Sequence, residues 1–332
     1  MTDTAALVPV TDVHDPGEAR RIRRARALDV LSREGFIVIF LLWAIYLSLA
    51  TDKFLTTDNV LLLLRQAAIF SIAGIGSTLV AILGELDISF GAILGFAGCV
   101  GAAWTVGGTH PAVAIMIVIL IGAAAGLVNG VLVNYVRIPS VVATLGTLAV
   151  LEGMSQVYTG GSSITGDELD RLRFLSRDKW LGIPSSAVIA AVLYFIAWIV
   201  TTRLRFGARL FATGDNREAA FRAGIAVQRI RLTVFIVAGA LAGFAGLMLV
   251  DRIGRAQSSL GADALFPVLT AVILGGVSMH GGQGRVINTA IASVFLASIT
   301  NGLILLGVAS EVQRIVQGAV LIAAVSLDRL RS

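Results

Sequence analysis

The chain has 332 residues, of which 56% are hydrophobic and 14% charged, and its mean hydropathy is +0.87. A soluble core of this size would carry a charged surface that this chain lacks, and the short alternating segments of a β-barrel are absent. The net charge of +5 and pI near 10.0 follow topology and do not call for nucleic acid, while the single cysteine, Cys99, allows no disulfide within one chain.

In chain order, residues 1–35 are polar and Arg-rich and read as a mobile cytoplasmic tail. Residues 36–328 read as one all-α polytopic membrane domain of about ten helices. The spans fall at approximately 36–50, 66–83, 91–107, 112–134, 141–158, 185–202, 232–250, 265–279, 286–306 and 312–327. The first ends in Ser48-Leu49-Ala50, loosely like a signal-peptidase site, but the long basic stretch ahead of it favours a retained span. With the N-terminus inside, the inside segments hold 17 of the 26 basic residues, so the positive-inside rule predicts that both termini are cytoplasmic. The long outside loop, 159–184, balances its basic residues with Asp167, Glu168, Asp170 and Asp178.

Small residues organise these spans. Gly122, Gly126 and Gly130 fall four apart, as do Gly91 and Gly95, and Gly239 and Gly243. The spacing predicts close helix packing and not a gate. A weak internal echo pairs Ala81-Ile82-Leu83-Gly84 with Val272-Ile273-Leu274-Gly275, as in a parallel repeat.

Polar residues at membrane depth are the candidates for a translocation path. The segment Gly84 to Gly91, GELDISFG, sets Glu85 and Asp87 at an inner turn. Ionisable groups there must be paired, capping or wet. Capping of the next helix by Asp87 or Ser89 is favoured over direct contact with a solute. Glu152 lies near the middle of its span, and Asn129, Thr144, Gln156 and Asn301 add further polar groups. Each of those four, taken alone, is more often a helix–helix hydrogen bond.

The basic insert 203–231, RLRFGARLFATGDNREAAFRAGIAVQRIR, separates two long apolar runs. Asp215 can cap a short helix over Asn216 to Ala223, with Glu218 three residues on and Gly224 closing it in a left-handed turn. Ala219, Ala220 and Ala223 form a small-residue face at helical spacing. So short a helix needs a surface to dock against, which predicts a soluble partner. The chain carries no G-x-x-x-x-G-K-[ST] loop, so ATP hydrolysis is not expected of it. His14, His110 and His280 are scattered, so no metal site is expected either, and no Ser/His/Asp arrangement stands out. The chain reads as a transport subunit and not as an enzyme.

Five stretches, in order, carry a resemblance to the permease subunits of bacterial ABC importers of the ribose, galactose and xylose type. They are Asp87, Ser89 and Gly91 in the inner turn; Ile138-Pro139 with Thr144-Leu145-Gly146 and Thr159-Gly160-Gly161; and Gly214, Asn216, Ala219, Ala220, Gly224 and Ile225 in the basic insert. The other two are Gly275-Gly276 with Ser278 and Gly281-Gly282-Gln283-Gly284, and Asn301-Gly302-Leu303 with Gly307-Val308. Departures are Glu152, often basic in that family, His280 in the glycine turn, and Phe266-Pro267 at a helix entry.

The resemblance implies a monosaccharide path in the bacterial cytoplasmic membrane, built with a second permease subunit. It also implies ABC ATPase subunits that bind ATP and Mg, no cofactor in this chain, and a periplasmic substrate-binding protein. Residues Gly214, Asp215, Asn216, Glu218, Ala219, Ala220, Ala223, Gly224 and Ile225 would then form the coupling segment that meets the ATPase. Two alternatives are weighed: a permease for branched-chain amino acids or another small solute, and an ion-driven carrier centred on Glu152. A membrane receptor or scaffold ranks last, because it leaves the inner-turn motif unexplained.

Overall fold

The computed structural model describes residues 36–331, with side chains to Ser326, so the tail 1–35 lies outside the described residues. The chain is helical almost throughout. In order come α1 (Phe36–Ala50), α2 (Thr57–Ile82), α3 (Phe90–Val106), α4 (Pro111–Val131) and α5 (Ser140–Thr159). A wide π-type turn, Leu132–Val136, prolongs α4. Then follow α6 (Ser185–Thr202), α7 (Arg205–Asp215), α8 (Arg217–Arg222), α9 (Val227–Ile253), α10 (Ala262–Leu274), α11 (Val286–Leu305) and α12 (Ser310–Arg331). Six of these, α2, α4 with its π turn, α5, α6, α9 and α11, are long and apolar enough to cross a membrane, and α1, α3 and α10 are shorter apolar helices.

The expected spans all have helices, but two begin earlier than hydropathy suggested. Helix α2 starts at Thr57, not near 66, because Asn59 and Arg65 find partners within the fold. Asn59 exchanges amide hydrogen bonds with Asn301, and Arg65 donates to the Arg177 carbonyl. Helix α9 starts at Val227, not near 232, and carries Gln228, Arg229 and Arg231 in its first turns. The insert 203–231 is therefore not one loop with one short helix. It holds α7, α8 and the first turn of α9.

Helix α9 occupies the centre, packed on α2, α3 and α4. The contact with α4 is made by glycine, as the spacing predicted. A methyl on Gly122 would strike the Gly239 carbonyl, one on Gly239 would strike the Gly122 carbonyl, and one on Gly126 would strike the Phe235 carbonyl. Without a hydrophobic drive between helices in lipid, this backbone-to-backbone approach maximises dispersion contact. The apolar core spreads outward from the seam through Val118, Ile93, Leu94, Leu247 and Phe235.

The turns after α2, α4 and α10 gather at the end of the molecule that carries α7 and α8. There the Gly282 amide donates to the Ile82 carbonyl (2.8 Å), and the Ser140 hydroxyl accepts from the Leu86 amide (3.2 Å). The opposite end holds the long loop 159–184, where Ile164 bridges to Ala256. That loop contains a 3₁₀ helix, Asp167–Leu175, and a two-residue hairpin, β1 (Lys179–Trp180) with β2 (Ile183–Pro184). Leu181 and Gly182 both have positive φ, as a type I′ turn requires. Its balanced charges pair with each other and with the core. Arg177 reaches Asp170 (2.7 Å) and the fully buried Asp251 of α9 (2.8 Å), while Arg173 approaches Asp178.

The internal echo is a shared helix ending, displaced by one residue from the sequence pairing. The left-handed glycines are Gly84 and Gly276, and each ending closes in the same way. Glu85 donates its amide to the Val80 carbonyl, and Val277 donates to the Val272 carbonyl.

Candidate functional site

At the inner turn the structure brings Asp87, Ser89, Asn129 and Thr144 together. Asp87 is 3% exposed, and its Oδ1 accepts from the Ser89 amide (2.8 Å) and from the Ser89 hydroxyl (2.6 Å). Asn129 of α4 donates to Ser89 Oγ (2.8 Å) and accepts from Thr147 Oγ1 of α5 (2.6 Å). The result is a one-way chain of donors running from α5, through α4, into the turn. Asp87 Oδ2 has no hydrogen-bond partner among the described residues. Ser89 holds the N-cap position of α3 but caps no backbone amide, since Asp87 and Asn129 take its hydroxyl. Capping of α3 by the Ser89 side chain is thus replaced by a turn in which Asp87 holds the Ser89 amide.

Thr144 lies in the same cluster with a different duty. Its hydroxyl accepts from the Ile88 amide (3.2 Å), as Ser140 does for Leu86. Irregular backbone at this depth needs such partners, because water is not at hand to supply them. Thr147 and Ser140 were not singled out from the sequence. Thr147 lies on α5, and only the approach of α5 to α4 places it against Asn129.

The other candidates lie elsewhere. Glu85, in the same turn, faces away from Asp87 and pairs with Arg217 of α8 (2.8 Å) and with Arg231 of α9. It ties the inner turn to the basic insert. Asn301 lies at the far end of α11 in its reciprocal amide pair with Asn59. Glu152 and Gln156 are exposed on one face of α5, beside Gly153, where a methyl group would meet nothing within 4 Å; Gly146 is equally open.

The short helix of the basic insert forms as α8, with two corrections. Its cap is Asn216, which accepts from the Ala219 amide (2.9 Å), and not Asp215, which ends α7. Nor do the three alanines share an outward face. Ala220 is buried against its own chain, while Ala219 and Ala223 are exposed together with Glu218 and Phe221. Gly224 closes the helix with φ +80°, and Ile225 donates back to the Ala220 carbonyl (3.0 Å). Phe221 was not predicted to matter, yet it is 72% exposed on a helix otherwise clothed in charge and alanine.

Gly214, at the end of α7, is the point where the insert meets the transmembrane helices. A methyl there would collide with the Ile82 carbonyl of α2 and press on the Gly282 amide, which itself is bonded to Ile82. A methyl on Gly84 or on Gly281 would likewise press on the other's backbone turn. The ends of α2 and α7 and the turn after α10 therefore meet as bare backbone, and α8 projects from that junction.

The comparisons agree with this architecture. Residues 59–325 match the family described as branched-chain amino acid transport system / permease component. The chain is 35% identical to the D-allose transport system permease protein AlsC of Escherichia coli K12, over 90% of this chain and 91% of that protein. It is 37% identical to the ribose import permease protein RbsC of Bacillus subtilis 168, over 90% and 92%. It is 32% identical to the L-arabinose ABC transporter permease protein AraH of Azospirillum brasilense, over 98% and 96%. No solved structure matches. With coverage this complete and a bundle of membrane-crossing helices to match, the chain is a multi-pass protein of the bacterial inner membrane and belongs to the permease-component family of ABC importers.

Proposed function

We propose that this chain forms half of the membrane path of an ATP-driven importer for a monosaccharide. Relatives named for ribose, allose and arabinose match nine-tenths or more of it, which supports a sugar cargo. The observation that carries the mechanism is the junction at Gly214. The α7–α8 segment rests on the end of α2 and the turn after α10 through backbone contact at Gly214, and Glu85 adds an ion pair to α8 beside the Asp87 network.

In this reading the α7–α8 end is cytoplasmic and both termini lie inside. An ATPase subunit binds α8 through its exposed face of Ala219 and Ala223. ATP and Mg are bound in that subunit, whose closure drives α8. The junction passes the movement to α2 and α10, and the inner turn shifts against α4 and α5. A second permease subunit faces the open side of α5, so Glu152 and Gln156 border the shared path. A periplasmic binding protein delivers solute at the end that carries loop 159–184.

The test is mild-detergent purification of the chain with its co-purifying subunits, followed by ATPase and uptake assays. Ala219→Arg is the variant to make, because Ala220 is buried and its replacement would disturb folding. Ala219→Arg should leave the chain folded and abolish sugar-stimulated ATP hydrolysis and uptake. Normal uptake in that variant would remove α8 from the mechanism. Uptake that resists vanadate and stops when the proton gradient is collapsed would instead favour an ion-driven carrier centred on Glu152. The family description favours one further cargo class, branched-chain amino acids. Uptake of labelled leucine, with no uptake of labelled ribose, allose or arabinose, would select it.

A further inference from the structure

A cavity of about 610 Å³ opens beside α8, between the turn after α4 and the start of α9, and its lining has a strong sign. Arg137, Arg217, Arg229 and Arg231 line it against the single carboxylate of Glu85. That carboxylate is already taken by Arg217 and Arg231, and Arg137 and Arg229 form no ion pair among the described residues.

Three further features converge on the same space. Helix α9, 27 residues long, begins there with no side-chain cap; its Val227, Arg229 and Ile230 amides are held by the Ile225 and Ala226 carbonyls, so what it adds to the cavity is the positive end of its dipole. Arg137 is the left-handed cap (φ 65°) that ends the π-type extension of α4, and this turn sets its guanidinium on the cavity lining. Arg231 Nε is buried without a partner, as is Oδ1 of the buried Asn134 on the cavity wall.

We propose that this cavity binds a phosphate ester. Its phosphate would be held by Arg137, Arg229, Arg231 Nε and the start of α9, while Asn134 accepts from a neighbouring hydroxyl. Guanidinium groups arriving from several sides suit a tetrahedral anion with three or more acceptor oxygens better than a planar carboxylate. The volume exceeds that of a bare phosphate and accommodates a headgroup. Tyr135, Val136, Val141 and Val142, exposed apolar residues on either side of the lining segment, give acyl chains a surface to lie on. An anionic phospholipid is therefore the source favoured here, and basic pockets between membrane helices are known to take such headgroups. A soluble phosphate ester presents the same chemistry.

The experiment uses the full-length chain with its co-purifying subunits, in nanodiscs of phosphatidylcholine with or without phosphatidylglycerol. Retained lipid is read by native mass spectrometry, and the unfolding midpoint is read alongside it. Arg137→Asn removes the charge while suiting the left-handed backbone. Arg229→Gln removes the second charge, and Arg229→Lys keeps it.

Phosphatidylglycerol should be retained by the wild type and lost about tenfold per guanidinium removed, with cooperative unfolding preserved and Arg229→Lys partly restored. A midpoint raised by glycerol 3-phosphate in the same Arg-dependent way, without lipid retention, would uphold the site and make its ligand soluble. Equal retention by wild type and the double variant, with no response to glycerol 3-phosphate or inorganic phosphate, would overturn it. So would cross-linking of Arg137 or Arg229 to an acidic segment of the ATPase subunit together with loss of lipid, since the cavity would then be a protein contact.

Discussion

Two glycine stripes in this chain look alike on paper and behave oppositely in the fold. On α4, Gly122 and Gly126 press against the backbone of α9 so closely that neither can accept a methyl group. On α5, Gly146 and Gly153, seven apart and so also on one helix face, meet nothing at all. One stripe is a closed seam within the chain, and the other is an open face that carries Glu152 and Gln156. Small residues thus mark a place for close approach without saying what approaches. The seam has its partner in the same polypeptide, and the α5 face is complete only in the proposed assembly with a second subunit.

The comparison can be broken from its strong side first. Gly122→Leu places a branched side chain against the Gly239 carbonyl and should destabilise the chain by about 3 kcal/mol or more, read as loss of the monodisperse folded form in detergent. Gly126→Ala, a single methyl against the Phe235 carbonyl, should destabilise by about 1–3 kcal/mol, measured as a lowered unfolding midpoint. If that variant proves neutral, the seam is looser than drawn. Asn129→Ala removes the amide that joins Ser89 to Thr147 at the border of the two regions, and about 1–2 kcal/mol should be lost, with uptake falling more steeply than stability. Smallest, and opposite in sign, is Gly153→Ala. With open space around it, the substitution should stabilise the isolated chain by about 0.5–1 kcal/mol, as helix propensity dictates. Assembly and uptake should nevertheless decline if a second subunit packs there, and full activity would separate the glycine from that contact.

Much of this could be read in the residues. Apolar runs located the spans, and the four-residue glycine spacing marked Gly122, Gly126, Gly239 and Gly243 as sites of close helix packing, without saying that they pack on each other. What stayed hidden was whatever polar residues had partners far along the chain. Asn59 and Arg65 made the start of α2 look like a loop, because their satisfaction by Asn301 and by the Arg177 carbonyl lies more than a hundred residues away. Helix α7 was missed for a related reason. Its arginines suggested a linker, while Gly207, Leu210 and Thr213, a buried face at helical spacing, were too few to register against them.

The candidate path was legible in part. Asp87, Ser89, Asn129 and Thr144 do meet, but Glu85 and Asn301 are engaged in ties at opposite ends of the bundle. Glu152 and Gln156 stand apart from all of these. Distinguishing them required knowing which face of each helix is covered, and helices that are apolar all round conceal it.

The bare-backbone junction of Gly84, Gly214, Gly281 and Gly282 has a mechanical consequence. Side chains between two moving parts act as a compliant layer, because rotamers can shift and absorb a small displacement before anything beyond them moves. Here that layer is missing. If a partner moves α8 as proposed, the neighbouring end of α7 meets the transmembrane helices at main-chain separation, so there is little backlash between them. A displacement too small to register across an ordinary side-chain contact would still arrive, nearly undiminished, at the end of α2 and the turn after α10.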